Sequence, residues 1–402
     1  MLNISKIRED FPIIGGSLAY LDNAATAQKP ATVIEAMSRM YQEANANVHR
    51  GVYGLAEKAT EMYESARDTV GEYIGAAHRD EVIFTSGATA SLNLAAHSLG
   101  ELVVGEGDNV IVTEAEHHSN IVPWQMMCER KGASLRVLPV AEDGRVEVEQ
   151  LAELVDERTR VLAITQCSNV LGSRPDLQKA TEIAHSRGVI VVVDGCQGIV
   201  HGGVNVAELG CDFYAFSGHK LYGPTGIGVL YGRRELLEQL PPFMGGGEMV
   251  APGGVTFAKT TYAEPPLRFE AGTPNYVGAV GLGEAIRYID QFDRTEVERH
   301  ERALLDVATK GILSIDGARV YGTTADKAPI LSFNIQGVHP YDMGMILDKL
   351  GIAVRTGTHC ADPLMARFGV TGMARASFAI YNTVGEAEAL VEGVRKAVKM
   401  LR

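Results

Sequence analysis

VIVVVDGCQGIVHGGVNVAELGCDFYAFSGHKLYGPTGIGVLY (189–231) holds three short apolar runs: VIVVVD (189–194), DFYAF (212–216) and IGVLY (227–231). Each has strand length, and the first is a near-continuous Val/Ile run. Such runs belong to strands buried on both faces, as in a mainly parallel sheet covered by helices. The pattern continues upstream through EVIFT (81–85), NVIVT (109–113), SLRVL (134–138) and RVLAIT (160–165). Stretches between them, such as ASLNLAAHSL (90–99) and DLQKATEIAHSRG (176–188), carry an apolar stripe and a polar face and read as helices. The alternation predicts an α/β fold with a mostly parallel central sheet and helices on both faces, in a large domain over 15–290.

Two helical stretches, near 277–291 and 293–310, lead into a smaller C-terminal α+β domain over 291–402. Its predicted strands are 329–335 and 374–379, and its helices 341–350 and 384–401. Residues 1–14 are expected to pack on it. Between the two patterns, 241–275 is so rich in Gly and Pro that it reads as irregular loop.

The remaining composition excludes classes rather than choosing one. A chain of 402 residues with 46% hydrophobic and 22% charged residues is an ordinary globular protein of two unequal domains. Its net charge of −13, without a long basic run, argues against nucleic acid or an anionic membrane as partner. No apolar run approaches the roughly 18 residues that span a bilayer. The N-terminus lacks the apolar core of a signal peptide. Five cysteines without a CxxC pair suit a reducing cytoplasm and no disulfide framework.

Chemistry concentrates where the predicted strands end. Lys220 follows DFYAF inside SGHKLYGPTGIG (217–228), a short turn that can offer a lysine for Schiff-base formation. Asp194 ends VIVVVD and could pair with a protonated pyridine nitrogen. TSGATASLN (85–93) opens a helix after a strand and offers an anion cup with Ser86 and Thr89. EHHSN (116–120) follows NVIVT and offers a histidine to stack on a ring. Two adjacent histidines lack metal-ligand spacing, so no metal is expected.

Taken together, the chain resembles the class V, fold-type I pyridoxal-phosphate enzymes, and among them the cysteine desulfurases of the SufS (group II) type. The resemblance runs through YLDNAATAQKP (20–30), NVHRG (47–51), EHHSNIVPWQ (116–125), SNVLG (168–172), VDGCQ (193–197), SGHKLYGPTGIG (217–228), RFEAGTPN (268–275), AVRTGTHCADPLM (353–365) and RASFAIYNT (375–383). It implies that Lys220 bonds covalently to pyridoxal 5'-phosphate, Asp194 pairs with its ring nitrogen and Gln197 with its ring oxygen. His117 would stack on the ring, with Asn169 beside ring oxygen and substrate. Thr89, Ser217 and His219 would hold the phosphate, and Thr273 would reach the phosphate of a second subunit, implying a homodimer. Arg375 would bind the substrate carboxylate, and Arg355 would help place loop and substrate.

Cys360 narrows the expected chemistry to sulfur removal from L-cysteine, giving L-alanine and a persulfide on Cys360. Its neighbours Arg355, Thr358 and His359 would favour the thiolate. Cys128, Cys167 and Cys211 read as small buried hydrophobes, and Cys196 as packing. Ala90 stands where many relatives carry glutamate, and Thr358 where histidine is commoner. The resemblance further implies a sulfur-acceptor protein, SufE-like or zinc-containing and SufU-like, and supply to an iron–sulfur scaffold. His339 is a candidate contact for a zinc-containing acceptor; it can equally be a turn histidine before a proline. A selenocysteine lyase, another class V aminotransferase and a non-catalytic scaffold are the competing readings.

Overall fold

The computed structural model describes residues 2–402. Seven strands form the central sheet: β1 (Val82–Thr85), β2 (Asn109–Thr113), β3 (Ser134–Leu138), β4 (Thr159–Thr165), β5 (Ile190–Asp194), β6 (Phe213–Ser217) and β7 (Gly228–Gly232). Their spatial order is β1-β7-β6-β5-β4-β2-β3, and only β7 runs against its neighbours. The expected, mostly parallel α/β architecture is therefore the one observed.

Period-two geometry explains how one strand feeds two cores. Ile111, Leu162, Val191, Val193 and Phe216 face one helical layer. Val110, Val161, Val192, Phe213 and Leu230 face the other, where Trp124 is fully buried. Strand boundaries fall within a residue of those read from the sequence. The helix after β1 is longer than expected and spans Ala88–Val103.

A second sheet contains β8 (Ala318–Tyr321), β9 (Ile330–Ile335), β10 (Arg355–Gly357) and β11 (Met373–Ser377), ordered β8-β9-β11-β10 and antiparallel throughout. Helices Arg294–Leu313, Pro340–Lys349 and Val384–Leu401 close its core around Leu304, Phe333, Leu347 and Leu390. The last helix begins with a capping box: Thr383 Oγ1 accepts from the Glu386 amide at 3.2 Å, and Glu386 Oε2 from the Thr383 amide at 2.7 Å.

The N-terminal segment joins the two bodies. Arg8 donates to Tyr381 O at 2.7 Å and Glu386 Oε1 at 3.1 Å. Phe11 packs its ring among Tyr222, Tyr288 and Tyr381. Ala19–Tyr20 then pairs in parallel with Ile352–Ala353, which carries Asp22 and Asn23 to the seam between the sheets.

One expectation fails. Within the Gly/Pro-rich region, Val250–Val255 and Thr260–Tyr262 form an exposed antiparallel hairpin. Its turn is closed by Thr256, whose amide donates to Lys259 O at 3.0 Å while its Oγ1 accepts from the Lys259 amide at 3.1 Å. VAPGGV has no alternating pattern, so this ladder is held by backbone bonds that composition does not advertise.

Candidate active site

β6 ends at Ser217, and a single 3-10 turn, Gly218–Lys220, presents Lys220. Gly218 is required there, because a Cβ would lie 2.9 Å from the Ile227 side chain. The turn is clamped from outside the sheet. His219 O accepts from the Ala27 amide at 3.1 Å, Thr26 Oγ1 at 3.1 Å and Lys29 Nζ at 3.0 Å. Burial pulls the Lys29 ammonium down to about 8. Burial, helped by Lys220 and Lys29, pulls the His219 imidazole down to about 4, so that ring is neutral.

Beside this turn the helix Ala88–Val103 begins. Its Ala88 amide donates to Ser217 Oγ at 2.8 Å, and Thr89 Oγ1 lies 2.8 Å from Ser119 Oγ. Hydroxyls and first-turn amides thus collect at one helix N-terminus, a favourable place for an anion.

After β2, Glu116 is fully buried and accepts from Thr113 Oγ1 at 2.7 Å, the Thr165 amide at 2.8 Å and Asn120 Nδ2 at 2.7 Å. These three bonds tie the turn to β2 and β4. Burial pushes the Glu116 carboxyl up to about 8, with Asp194 adding to it. His117 is next in sequence. Its Nδ1 accepts from the Ser119 amide at 3.1 Å, so a ring proton belongs on Nε2. Burial and then Lys220 pull it down to about 4, which keeps the ring neutral near pH 7.

Asp194 ends β5 almost fully buried, and its Oδ1 accepts from the Cys196 amide at 3.0 Å. Burial, with Asp194 alongside, pushes the Cys196 thiol up to about 12, so it stays protonated.

The small domain closes the other side. Arg375 on β11 is 2% exposed. It donates to Asn169 O at 2.8 Å and to Asp22 Oδ1 at 3.0 Å, while its Nε has no partner. Arg355, half exposed, lies 4.0 Å from the same Asp22. Burial raises the Asp22 carboxyl, opposed by Arg375. Asn169 Nδ2 donates to His359 O at 2.9 Å, and His359 Nε2 faces Met373 O at 3.0 Å. Burial, then Arg375, pulls the His359 imidazole down to about 3.

One cavity of about 180 Å³ takes in Thr89, His117, Asn169, Asp194, Ser217, His219, Lys220, Arg355, Cys360 and Arg375. Of the residues expected to touch cofactor or substrate, Ser86, Gln197 and Thr273 are not among its lining, and Ser86 lies with Thr273 in a second cavity. Gln197 is buried beside it, donating to Ala24 O at 2.8 Å. Thr273 lines a separate cavity of about 240 Å³ with Phe84, Ala90 and Phe269. Cys196, read as packing, lines the first cavity. Sequence reasoning gave no role to Asp22, Lys29, Glu116 or His118, although YLDNAATAQKP and EHHSN contain all four. Charged residues set in strand-end motifs were the available signal. Among the described residues no group of three or more His, Cys, Asp or Glu could hold a metal ion.

Comparison with known proteins gives a consistent picture. The class-V aminotransferase family profile matches residues 19–390. The chain is 47% identical to a cysteine desulfurase of Klebsiella pneumoniae, with 99% of each chain covered. It is similar to the crystal structure of the cysteine desulfurase CsdA (S-sulfonic acid) from Escherichia coli, with TM-score 0.94 and 43% identity over 100% of both chains. It is equally similar to the apo cysteine desulfurase of Thermococcus onnurineus, with TM-score 0.95 and 38% identity over 100% of this chain and 99% of that one.

Proposed function

Since the chain belongs to the class-V aminotransferase family and is a cysteine desulfurase, we propose that it binds pyridoxal 5'-phosphate at Lys220 and receives the sulfur of L-cysteine on Cys360. The observation that carries this reading is that an amine, Lys220, and a thiol, Cys360, line the same cavity.

The donor set fits the cofactor. Asp194 offers a buried carboxylate in the cavity lining for a ring nitrogen, Ser217, Thr89 and His219 gather at a helix start suited to a phosphate, and Lys220 offers an amine to an aldehyde. Bound there, pyridoxal phosphate supplies an electron sink next to the substrate α-carbon. Neutral His117 is suited to stacking against a ring and to carrying a proton on Nε2. Arg375 has an unpartnered Nε for the substrate carboxylate and is kept in place by Asn169 and Asp22. Arg355 serves at the cavity mouth.

Lys220 takes the α-proton. The Cys360 thiolate attacks the substrate sulfur; a sulfur–sulfur bond forms as the carbon–sulfur bond breaks, and the bonding pair stays with the carbon skeleton. Protonation of that β-carbon and return of a proton to the α-carbon give L-alanine, and Cys360 retains the persulfide. Electrons balance without an outside oxidant.

The displaced position of Thr273 supports service to a second subunit's cofactor, hence a homodimer. Large exposed side chains such as Val52, Met244 and Phe257 support a covered face. Five unpaired cysteines support a reducing cytoplasm, and no helix among the described residues is long and apolar enough to cross a membrane. Delivery to an acceptor protein for iron–sulfur assembly is supported by a half-buried Cys360 at the cavity edge. His339 Nδ1 accepts from the Tyr341 amide at 3.3 Å at the start of its helix, which supports the turn reading of that residue.

Mass spectrometry after exposure to L-cysteine tests the proposal. Wild-type protein gains one sulfur on Cys360, whereas Cys360→Ser gains none and makes no alanine in excess of background. Desulfuration by Cys360→Ser at the parent rate would overturn it.

A further inference from the structure

Cys360 is held in a conformation that its own chemistry does not favour. His359 and Cys360 have φ of 55° and 56°, so two consecutive side-chain-bearing residues lie in the left-handed region. Residues stay there only where their surroundings hold them. On the N-terminal side the hold is deep: His359 is 5% exposed and bonded to Asn169 and Met373.

On the other side Ala361 is fully buried and its amide donates to Thr358 O at 3.0 Å. A further hold, of a different kind, comes from a residue with no role so far. The His118 amide donates to Cys360 O at 2.8 Å. His118 Nε2 lies 3.2 Å from the Asp362 amide and 2.8 Å from Asp362 Oδ2. One nitrogen cannot accept and donate at once. Protonated, it donates to the carboxylate; unprotonated, it accepts from the amide. Either way one bond to Asp362 remains. The side chains of His118 and Asp362 are 39% and 61% exposed, so this contact opens into water without unburying anything.

We infer that His118 is a positioning residue for sulfur transfer: with Asp362 it forms a clasp that docks the Cys360 loop against the turn carrying His117. The inference rests on the reading of Cys360 as sulfur acceptor. Closed, the clasp presents Cys360 to the cavity. Open, it leaves Cys360 held only between its buried neighbours His359 and Ala361, and more accessible.

Alkylation of Cys360 by iodoacetamide in the holoenzyme, followed on its own peptide, reads the clasp without turnover. His118→Ala and Asp362→Ala should each raise the rate about two- to fivefold, the scale of an exposed ion pair. The double variant should match the singles, because both remove one clasp. His118→Gln, with a donor and an acceptor on one amide, should restore most of the protection. A purely electrostatic influence would move the two single variants oppositely, since losing a carboxylate favours the thiolate and losing an imidazolium disfavours it. Opposite shifts, additive shifts or no shift would overturn the inference. In a single turnover Asp362→Ala should slow persulfide formation by a similar factor and leave the cofactor's visible spectrum unchanged. Should Cys360→Ser form its persulfide elsewhere, the reading of Cys360 fails, while the alkylation rates still decide the clasp. If His118→Ala does not fold, Asp362→Ala against wild type decides the same question.

Discussion

The rim of the large sheet and the Cys360 loop face each other across one cavity and are built in opposite ways. On the rim, each turn is over-determined. Glu116 takes three hydrogen bonds, His219 O takes three more, and strands β2, β5 and β6 beneath are buried almost throughout. The loop has two left-handed residues, buried neighbours of Cys360 on both sides at His359 and Ala361, and one clasp in water. Groups proposed to hold a cofactor gain from rigidity, because misplacement costs rate steeply. A residue proposed to carry sulfur from substrate to an acceptor gains from a hold that can be released.

The largest test of this contrast is Lys220→Ala. Turnover should fall by on the order of 10³-fold or more, as for other covalent catalytic groups. The fold should survive, since the turn is held through His219 O rather than through the lysine side chain. Alanine formation and thermal melting separate the two outcomes. Retained turnover would break the assignment of the rim, and a collapsed fold would break its description as over-determined without the lysine.

Asn169→Ala strikes where rim and loop meet. It removes the donor to His359 O in a buried setting, where an unmade bond costs about 1–3 kcal/mol. Chemical denaturation should show that loss, and Cys360 should be alkylated faster. A stability loss with unchanged alkylation would show that the loop does not depend on this anchor.

The smallest expected effect is in the pH profile of stability. His117 and His219 are pulled down to about 4 and His359 to about 3. An unfolded chain protonates them near their ordinary value, about 6.5. Their contribution is complete above that value and is lost as pH falls toward 4, because the unfolded state binds protons first. Glu116, raised from 4.5 to about 8, acts oppositely: its contribution is lost progressively as pH rises from 4.5 to about 8. Together these four groups favour the folded state most just above about pH 6.5, so melting temperature should fall as pH drops below that value. His359→Gln should flatten the acid limb by the share belonging to the loop. An unchanged limb would assign it wholly to the rim.

Much of the rim was legible in the sequence because its signals are local. A run such as VIVVVD fixes a strand, the strand fixes where it ends, and Asp194 at that end marks the rim. Lys220, His117 and Thr89 follow by the same step. Partnerships were not legible. Asp22 and Arg375 are 353 residues apart, and His118 and Asp362 are 244 apart. Neither pair leaves a trace in spacing or periodicity.

The sequence by itself determined the strands, the order of chemical groups along the rim, and the resemblance that names the chemistry. Tertiary structure alone decided that Ser86 and Gln197 lie outside the cavity of Lys220, that Asp22 pairs with a buried Arg375, and that the Cys360 loop carries an exposed clasp beside its buried anchors. Periodicity is set within one element by backbone geometry, whereas which distant side chains meet depends on how whole sheets and helices pack.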